Sequence, residues 1–249
     1  MILSVKDLKK SFGKKEVLKG IDIEVNKGDV IALLGRSGSG KTTLLRCLNF
    51  LEKADGGQMT FDGCEYDLKK IKKADMAAIR KKTAFVFQNF NLFANKTALG
   101  NVTLGLTAAR GIPKKQAEDI GMQMLEKVGL ADHANYYPIQ LSGGLQQRVA
   151  IARALATDPE IIYFDEPTSA LNPELIGEVL SAIRKLAQSG MTMLIVTHEM
   201  HFAENVADHI IFMNNGEIIE RGAPKEFFYA PKEERSREFI KSIKKQQEE

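Results

Sequence analysis

The sequence predicts an α/β fold in which a parallel sheet is wound by crossover helices, and three observations carry that expectation. Short apolar runs recur at "VIALLG", "TAFVF", "IIYFD" and "MLIVTH", three of them following a helical stretch, which is the rhythm of buried parallel strands. A glycine-rich loop, "GRSGSGKTT", stands directly between the first of these runs and a helical segment. Between Gln88 and about Pro159 the rhythm lapses, and "KKQAEDIGMQMLEKVGL" repeats apolar residues at helical spacing with no buried-strand run. An inserted helical lobe is expected there.

Length and composition set the frame. The 249 residues suffice for a sizeable core in one large domain or two lobes. Hydrophobic residues at 44% and charged residues at 27% match ordinary globular chains, which argues against disorder and against a membrane class. No stretch reaches the roughly 18 to 20 apolar residues that span a bilayer. The start "MILSVKDLKK" has no apolar signal core, so the expected location is cytosolic. On that ground the glycosylation-like triplets at Asn95 and Asn101 are chance matches, and Cys47 and Cys64, which fit neither zinc nor disulfide spacing, are reduced thiols.

The net charge of +3 is spread among acids, without the basic stripe of a nucleic-acid binder. The exception, Lys69 to Lys82, is expected to be a solvated helix face. No repeats of solenoid period and no sustained heptads occur.

Along the chain, "IDIEV" (21–25) alternates as a half-buried strand does and turns at "NKGD" into "VIALLG". "IIFMNNGEIIE" carries Asn-Asn-Gly between two apolar runs, a hairpin signal that places an antiparallel edge near the end. The charged tail puts Phe239, Ile240 and Ile243 on one face, as a docked or frayed terminal helix would.

The chemistry begins at Gly35. Gly35, Gly40, Lys41 and Thr42 satisfy G-x-x-x-x-G-K-[ST] with a strand before and a helix after, the setting in which this pattern cradles a polyphosphate. Backbone amides must wrap the phosphates closely, and the helix start adds unpaired amides and a positive dipole end. Ser37, Gly38, Ser39 and Thr43 belong to the same loop; Lys41 pairs with the β and γ phosphates and the Thr42 hydroxyl with Mg²⁺. "IIYFDEP" places Asp165 at the carboxyl end of a buried strand as the second Mg²⁺ partner, through water. Glu166, next to it, is placed to polarise the attacking water as general base. His198, after "MLIVT", falls on the same edge and would bond the γ phosphate or hold Glu166. His133, His201 and His209 lack such company.

A second glycine-serine helix start, "LSGGLQQR" (Leu141 to Arg148), has no ligand of its own in this scheme. Ser142, Gly143 and Gly144 precede "VAIARALA" and would offer amides and a hydroxyl to an anion.

The phosphate loop, "LSGGLQQR", "IIYFDEP", "SALNPE" and "THEM", in this order, resemble the ATP-binding cassette (ABC) family, the ATPase subunits of ABC transporters. The resemblance covers nearly the whole chain. It implies one ABC ATPase domain over 1–249: a RecA-like P-loop NTPase core with an antiparallel β subdomain (1–87 and 160–230), a helical signature lobe (88–159), and a C-terminal helix or tail (231–249). It implies that two cassettes stack head to tail, so that Ser142, Gly143 and Gly144 close over ATP held by the partner's phosphate loop. Phe12 matches the aromatic that stacks on adenine, with Val17 packing nearby. Gln88 matches the glutamine that touches Mg²⁺ and the attacking water. Phe90, Leu92 and Phe93 resemble the groove for a short helix of the membrane subunit, or are lobe core.

Two positions depart from the family pattern: Leu145 stands where a glutamine is usual, and Asn172 where an aspartate reaches across the dimer. A lost polar contact is expected at the first and altered coupling between sites at the second.

"FVFQNFNLFANKT", "EPTSALNPELIGEV" and "VTHEM" are most similar to the cassettes of bacterial polar amino-acid importers, a group that includes cystine uptake. The implied partners are a second cassette, two integral membrane permease subunits and, indirectly, an external solute-binding protein, with no nucleic acid. The implied location is peripheral, on the cytoplasmic face of the membrane. Cassettes of export or cell-division complexes share every catalytic motif. Soluble relatives acting on nucleic acid or ribosomes carry long coiled coils or fused cassettes, which this chain lacks, and the pairing of Glu166 with His198 argues against a module without turnover.

Overall fold

The computed structural model describes residues 1–248, and the side chains of residues 1–243. Two sheets share the chain. The larger has six strands in the order β10-β9-β3-β8-β7-β6, where β3 is Val30–Leu34, β6 Thr83–Val86, β7 Ile161–Asp165, β8 Met193–Val196, β9 His209–Asn214 and β10 Glu217–Gly222. Every pairing in it is parallel except β9 with β10. The continuous apolar runs read in the sequence are therefore strands covered on both faces. The Asn-Asn-Gly hairpin forms the antiparallel edge, with Asn215 and Gly216 both at positive φ in its turn.

The second sheet, β2-β1-β4-β5, is antiparallel and comprises β1 (Leu3–Phe12), β2 (Lys15–Val25), β4 (Gly56–Phe61) and β5 (Cys64–Asp67). "IDIEV" is the second half of the eleven-residue β2, and the turn at "NKGD" does not close a hairpin: β2 pairs with β1 in this sheet, whereas β3 enters the other. The inward residues Ile21, Ile23 and Val25 pack with Leu3, Val5 and Leu8 in one cluster that also holds Leu44, Leu45 and Leu48 of α1 (Lys41–Leu48). The small sheet is thus fixed directly beneath the helix that follows the phosphate loop.

Between β6 and β7 lie α3 (Ala98–Leu104), a π-helical turn at Gly105–Ala109, α4 (Lys114–Lys127) and α5 (Gly143–Leu155). Their apolar faces run into the other face of the large sheet as one cluster, from Val102, Leu125 and Ile151 to Phe164 and Ile195. Three further helices, α2 (Lys73–Lys81), α6 (Pro173–Gln188) and α7 (Met200–Val206), connect strands; α2 buries only Ile79 and leaves its lysines exposed. After β10 come α8 (Pro224–Tyr229) and α9 (Glu234–Glu248). The terminal helix is docked: Phe239 and Ile240 are buried, and the Phe239 ring lies 4.7 Å from that of Phe212 on β9.

Burial pushes the Cys47 thiol up to about 12, so it is protonated and inert, and Cys64 is exposed. Among the described residues no helix is long and apolar enough to cross a membrane.

Candidate phosphate-hydrolysis site

Strand register sets which side chains share the carboxyl edge of the large sheet. Leu33 and Asp165 both lie level with Val196, and Val86 lies level with Phe164. The loop after β3, the acids ending β7, the turn after β8 and the segment after β6 therefore open on one side, the crevice where ligands sit in parallel α/β sheets.

The loop after β3 is closed by glycine in the literal sense. At Gly35 (φ 152°) a Cβ would stand 2.2 Å from the Met213 carbonyl oxygen, and at Gly40 (φ 104°) 3.0 Å from that of Val17. Val17 thus packs against the loop, and the hairpin turn does too: the Gly216 amide donates to the Ser39 carbonyl at 3.1 Å. Gly216 is a supporting residue that the sequence reading missed; the Asn-Asn-Gly signal gave the turn but not what it touches.

Lys41 is buried and its Nζ donates to the carbonyls of Gly35 and Arg36 at 2.8 and 3.1 Å. Burial lowers its pKa, against the pull of Glu166 and Asp165. An ammonium held only by carbonyls inside its own loop is the donor a polyphosphate requires. Among the described residues the Ser39 hydroxyl is buried without a partner, and Gly35, Arg36 and Ser37 form one wall of a 590 Å³ cavity whose other wall is His198, Met200 and the α9 residues Phe239, Ser242 and Ile243. Gly38 is exposed at the tip and Thr43 half-buried in the first turn of α1. These residues fit a nucleotide triphosphate.

Thr42 Oγ1 donates to Asp165 Oδ1 at 2.6 Å. Burial raises the Asp165 pKa, while the Thr42 bond and the Arg46 guanidinium, 3.9 Å away, oppose it. One hydroxyl and one carboxylate in contact are the hard-oxygen pair that Mg²⁺ takes alongside phosphate oxygens and water. Gln88 is exposed, and no hydrogen bond of its side chain is found among the described residues.

Glu166 adopts φ 47°, a left-handed conformation that costs strain in a non-glycine residue and is held by the bond from its amide to the Val196 carbonyl at 3.0 Å. Its carboxylate meets His198, whose Nε2 lies 3.0 Å from Oε1. That bond is the main reason the Glu166 pKa falls below the ordinary carboxylate value.

Ser142, Gly143 and Gly144 stand apart from this group. Ser142 caps α5, accepting from the Leu145 amide at 3.3 Å, and is exposed. Among the described residues no hydrogen bond joins 142–144 to the loop 35–43. The two glycines have a local reason as well as a chemical one. A Cβ on Gly143 would stand 3.0 Å from Leu171 Cδ2, and one on Gly144 3.2 Å from Leu175 Cβ, so the start of α6 presses on the start of α5. Leu145 packs with the apolar cluster of the helical segment, which accounts for an apolar residue at that position. Asn172 is the exposed N-cap of α6, with no capping bond from its side chain.

Two residues of α5 that the sequence reading passed over reach the Gln88 segment. The fully buried Gln147 donates from Nε2 to the Phe87 carbonyl at 3.2 Å, and Arg153 donates to the carbonyls of Phe90 and Asn91 at 3.0 and 2.6 Å. The loop is pinned on both sides of Gln88 by the helix that starts at Ser142. Leu92 packs on the helical cluster, Phe90 lies against Gly143, and Phe93 is exposed.

The family model described as ABC transporter matches residues 18–169. The chain belongs to the ABC transporter family. Relatives extend over nearly its whole length: the L-cystine import ATP-binding protein TcyC of Bacillus subtilis is 54% identical over 243 residues, covering 97% of this chain and 98% of that protein. The L-cystine transport system ATP-binding protein TcyN of Escherichia coli is 51% identical, again covering 97% and 98%. Among solved structures, the ATP-binding cassette MJ0796 in a dimeric post-hydrolysis state with ADP and Pi superposes with a TM-score of 0.79 at 34% identity, covering 90% of this chain and 99% of that one. The cassette cbiO1 of Clostridium perfringens superposes with a TM-score of 0.82 at 28% identity, covering 97% and 94%. This cassette is an ABC ATPase, and its α/β architecture is that of the family.

Proposed function

We propose that this cassette is the ATP-hydrolysing subunit of an importer for a polar amino acid, with cystine as the leading substrate. The observation that carries the substrate class is full-length similarity at about half identity to cystine and other amino-acid import ATPases. In this reading the chain is one ATPase domain, with 1–87 and 160–230 as core and β subdomain, 88–159 as signature lobe and 231–249 as terminal helix. It sits peripherally on the cytoplasmic face of the membrane, as a homodimer beneath two permease subunits that receive substrate from an external binding protein.

The reaction is phosphoryl transfer from ATP to water. Its transition state is loose and highly charged, so catalysis rests on positioning and electrostatics. Lys41 releases its loop carbonyls to take β and γ phosphate oxygens, and the loop amides and α1 N-terminus take the rest. Thr42, Asp165 and Gln88 would hold Mg²⁺, which would supply positive charge to offset that of the phosphates. Glu166 orients the attacking water and accepts its proton, while His198 keeps that carboxylate aimed. Phe12 stacks on adenine beside Val17. Ser142, Gly143 and Gly144 complete the site of the other copy, a role favoured by the lack, among the described residues, of any hydrogen bond between them and their own loop.

Each turnover then closes and opens the dimer and drives alternating access in the permease. The test is co-purification with native membrane partners, reconstitution, and uptake of labelled amino acids. ATP-dependent import of cystine or another polar amino acid is expected. Export, or ATPase stimulation by nucleic acid in place of permease, would overturn the reading.

A further inference from the structure

The end of β1 carries an ion pair that the hydrolysis scheme does not use. Lys10 is only 8% exposed, and its ammonium donates to the Lys53 carbonyl at 2.8 Å and meets Glu52 Oε1 at 2.8 Å. The same ammonium stands 4.7 Å from the centroid of the Phe12 ring. The two residues are two apart in β1, with an irregularity in the pairing to β2 between Lys10 and Ser11. Phe12 itself remains 48% exposed, so its ring is covered on the Lys10 side and still presents surface for a second planar group.

The strand tip that carries both is fastened to the segment after α1. The Ser11 amide donates to Asp55 Oδ2 at 2.6 Å, and the Asp55 amide to the Lys9 carbonyl at 2.8 Å. Lys10 is therefore not a free surface cation that happens to drift over a ring. Its position is set by Glu52 and Lys53, and Glu52 also keeps it protonated by raising its pKa. A desolvated ammonium on an aromatic face is stronger than an exposed one, because water no longer competes for the charge.

We propose that Lys10 is a positioning residue for the base: its ammonium holds the Phe12 ring in the orientation that stacks on adenine, and Glu52 and the Lys53 carbonyl hold the ammonium. The inference rests on the reading of Phe12 as the adenine platform. An exposed phenylalanine near a strand end turns freely about its side-chain bonds, and fixing it beforehand removes that ordering cost from nucleotide binding.

The experiment compares ATP with inorganic tripolyphosphate, which has the phosphates and no base, by titration calorimetry on the full chain. Lys10→Met is expected to weaken ATP binding about three- to thirtyfold and leave tripolyphosphate binding unchanged. Lys10→Arg, which keeps the charge, should restore most of the ATP affinity. In a Phe12→Ala background, Lys10→Met should have no further effect. Because the chain contains no tryptophan, Phe12→Trp supplies a single reporter whose quenching by ATP reads stacking directly. Equal weakening of both ligands by Lys10→Met, or an unchanged ATP affinity, would overturn the inference while leaving Phe12 in place. An unchanged ATP affinity in Phe12→Ala would remove the adenine reading itself, and the inference with it.

Discussion

The Nε2 of His198 stands 3.0 Å from Oε1 of Glu166, across the gap between the ends of β7 and β8, with the Glu166 backbone at φ 47°. The bond holds the carboxylate ionised and aimed. An ionised, weakly basic carboxylate suits a loose transition state, in which water is oriented first and gives up its proton late.

Glu166→Gln keeps the shape and removes the negative charge. Turnover should fall by at least about 10²-fold, the contribution of a positioned base, with ATP affinity retained. Steady-state phosphate release and equilibrium nucleotide binding check the two halves.

The same carboxylate sets a pH dependence of stability. Its folded pKa is depressed, so its contribution is present above the ordinary glutamate value and is lost as pH falls through the lowered one. Wild type should therefore exceed Glu166→Gln in stability at pH 6, by under about 1 kcal/mol because His198 is half exposed, and the difference should shrink as the pH is lowered past the ordinary glutamate value. Urea denaturation across that pH range reads this.

Gln147 reaches from the signature helix to the Phe87 carbonyl, one residue before Gln88. Gln147→Met fills the space without the bond. It should cost about 1 kcal/mol in stability and reduce turnover at limiting Mg²⁺ more than at saturating Mg²⁺, because the loop bearing Gln88 loosens. A magnesium titration of ATPase activity tests it.

Leu145 packs in the helical cluster while its amide bonds Ser142. Leu145→Gln should destabilise the chain by about 1–2 kcal/mol, a lost share of side-chain burial, and change turnover by less than about threefold, since the Ser142 cap uses only the backbone. Thermal melting and ATPase rates are the measurements.

Much of this arrangement was legible because the informative residues are local in sequence. The loop 35–43 announces itself by glycine spacing, and β3, β7 and β8 by unbroken apolar runs, so the edge that gathers Lys41, Asp165 and His198 follows from strand direction alone. The contacts that a side chain makes with a distant backbone left no such trace. Gln147 reads as one more polar residue in a helix, Gly216 as one more hairpin glycine, and Lys10 as one lysine of several. Their roles depend on which carbonyl or ring the fold brings within reach. "IDIEV" was recognisable as a strand, but its sheet was not, because a turn sequence such as "NKGD" serves equally between strands of one sheet and between two sheets. Leu145 departs from the family pattern in sequence and is ordinary in structure, an apolar residue on an apolar face.

The central claim is that Ser142 and Gly144 serve a nucleotide bound by Lys41 of another copy. Its most direct test is ATP affinity and molar mass, measured together, for Glu166→Gln with and without Ser142→Arg. The account predicts that Glu166→Gln doubles its mass on saturation with ATP, and that adding Ser142→Arg abolishes the doubling while the monomer binds ATP as tightly as before. Loss of ATP binding by the Ser142→Arg monomer would place the signature at its own chain's phosphate loop and contradict the account.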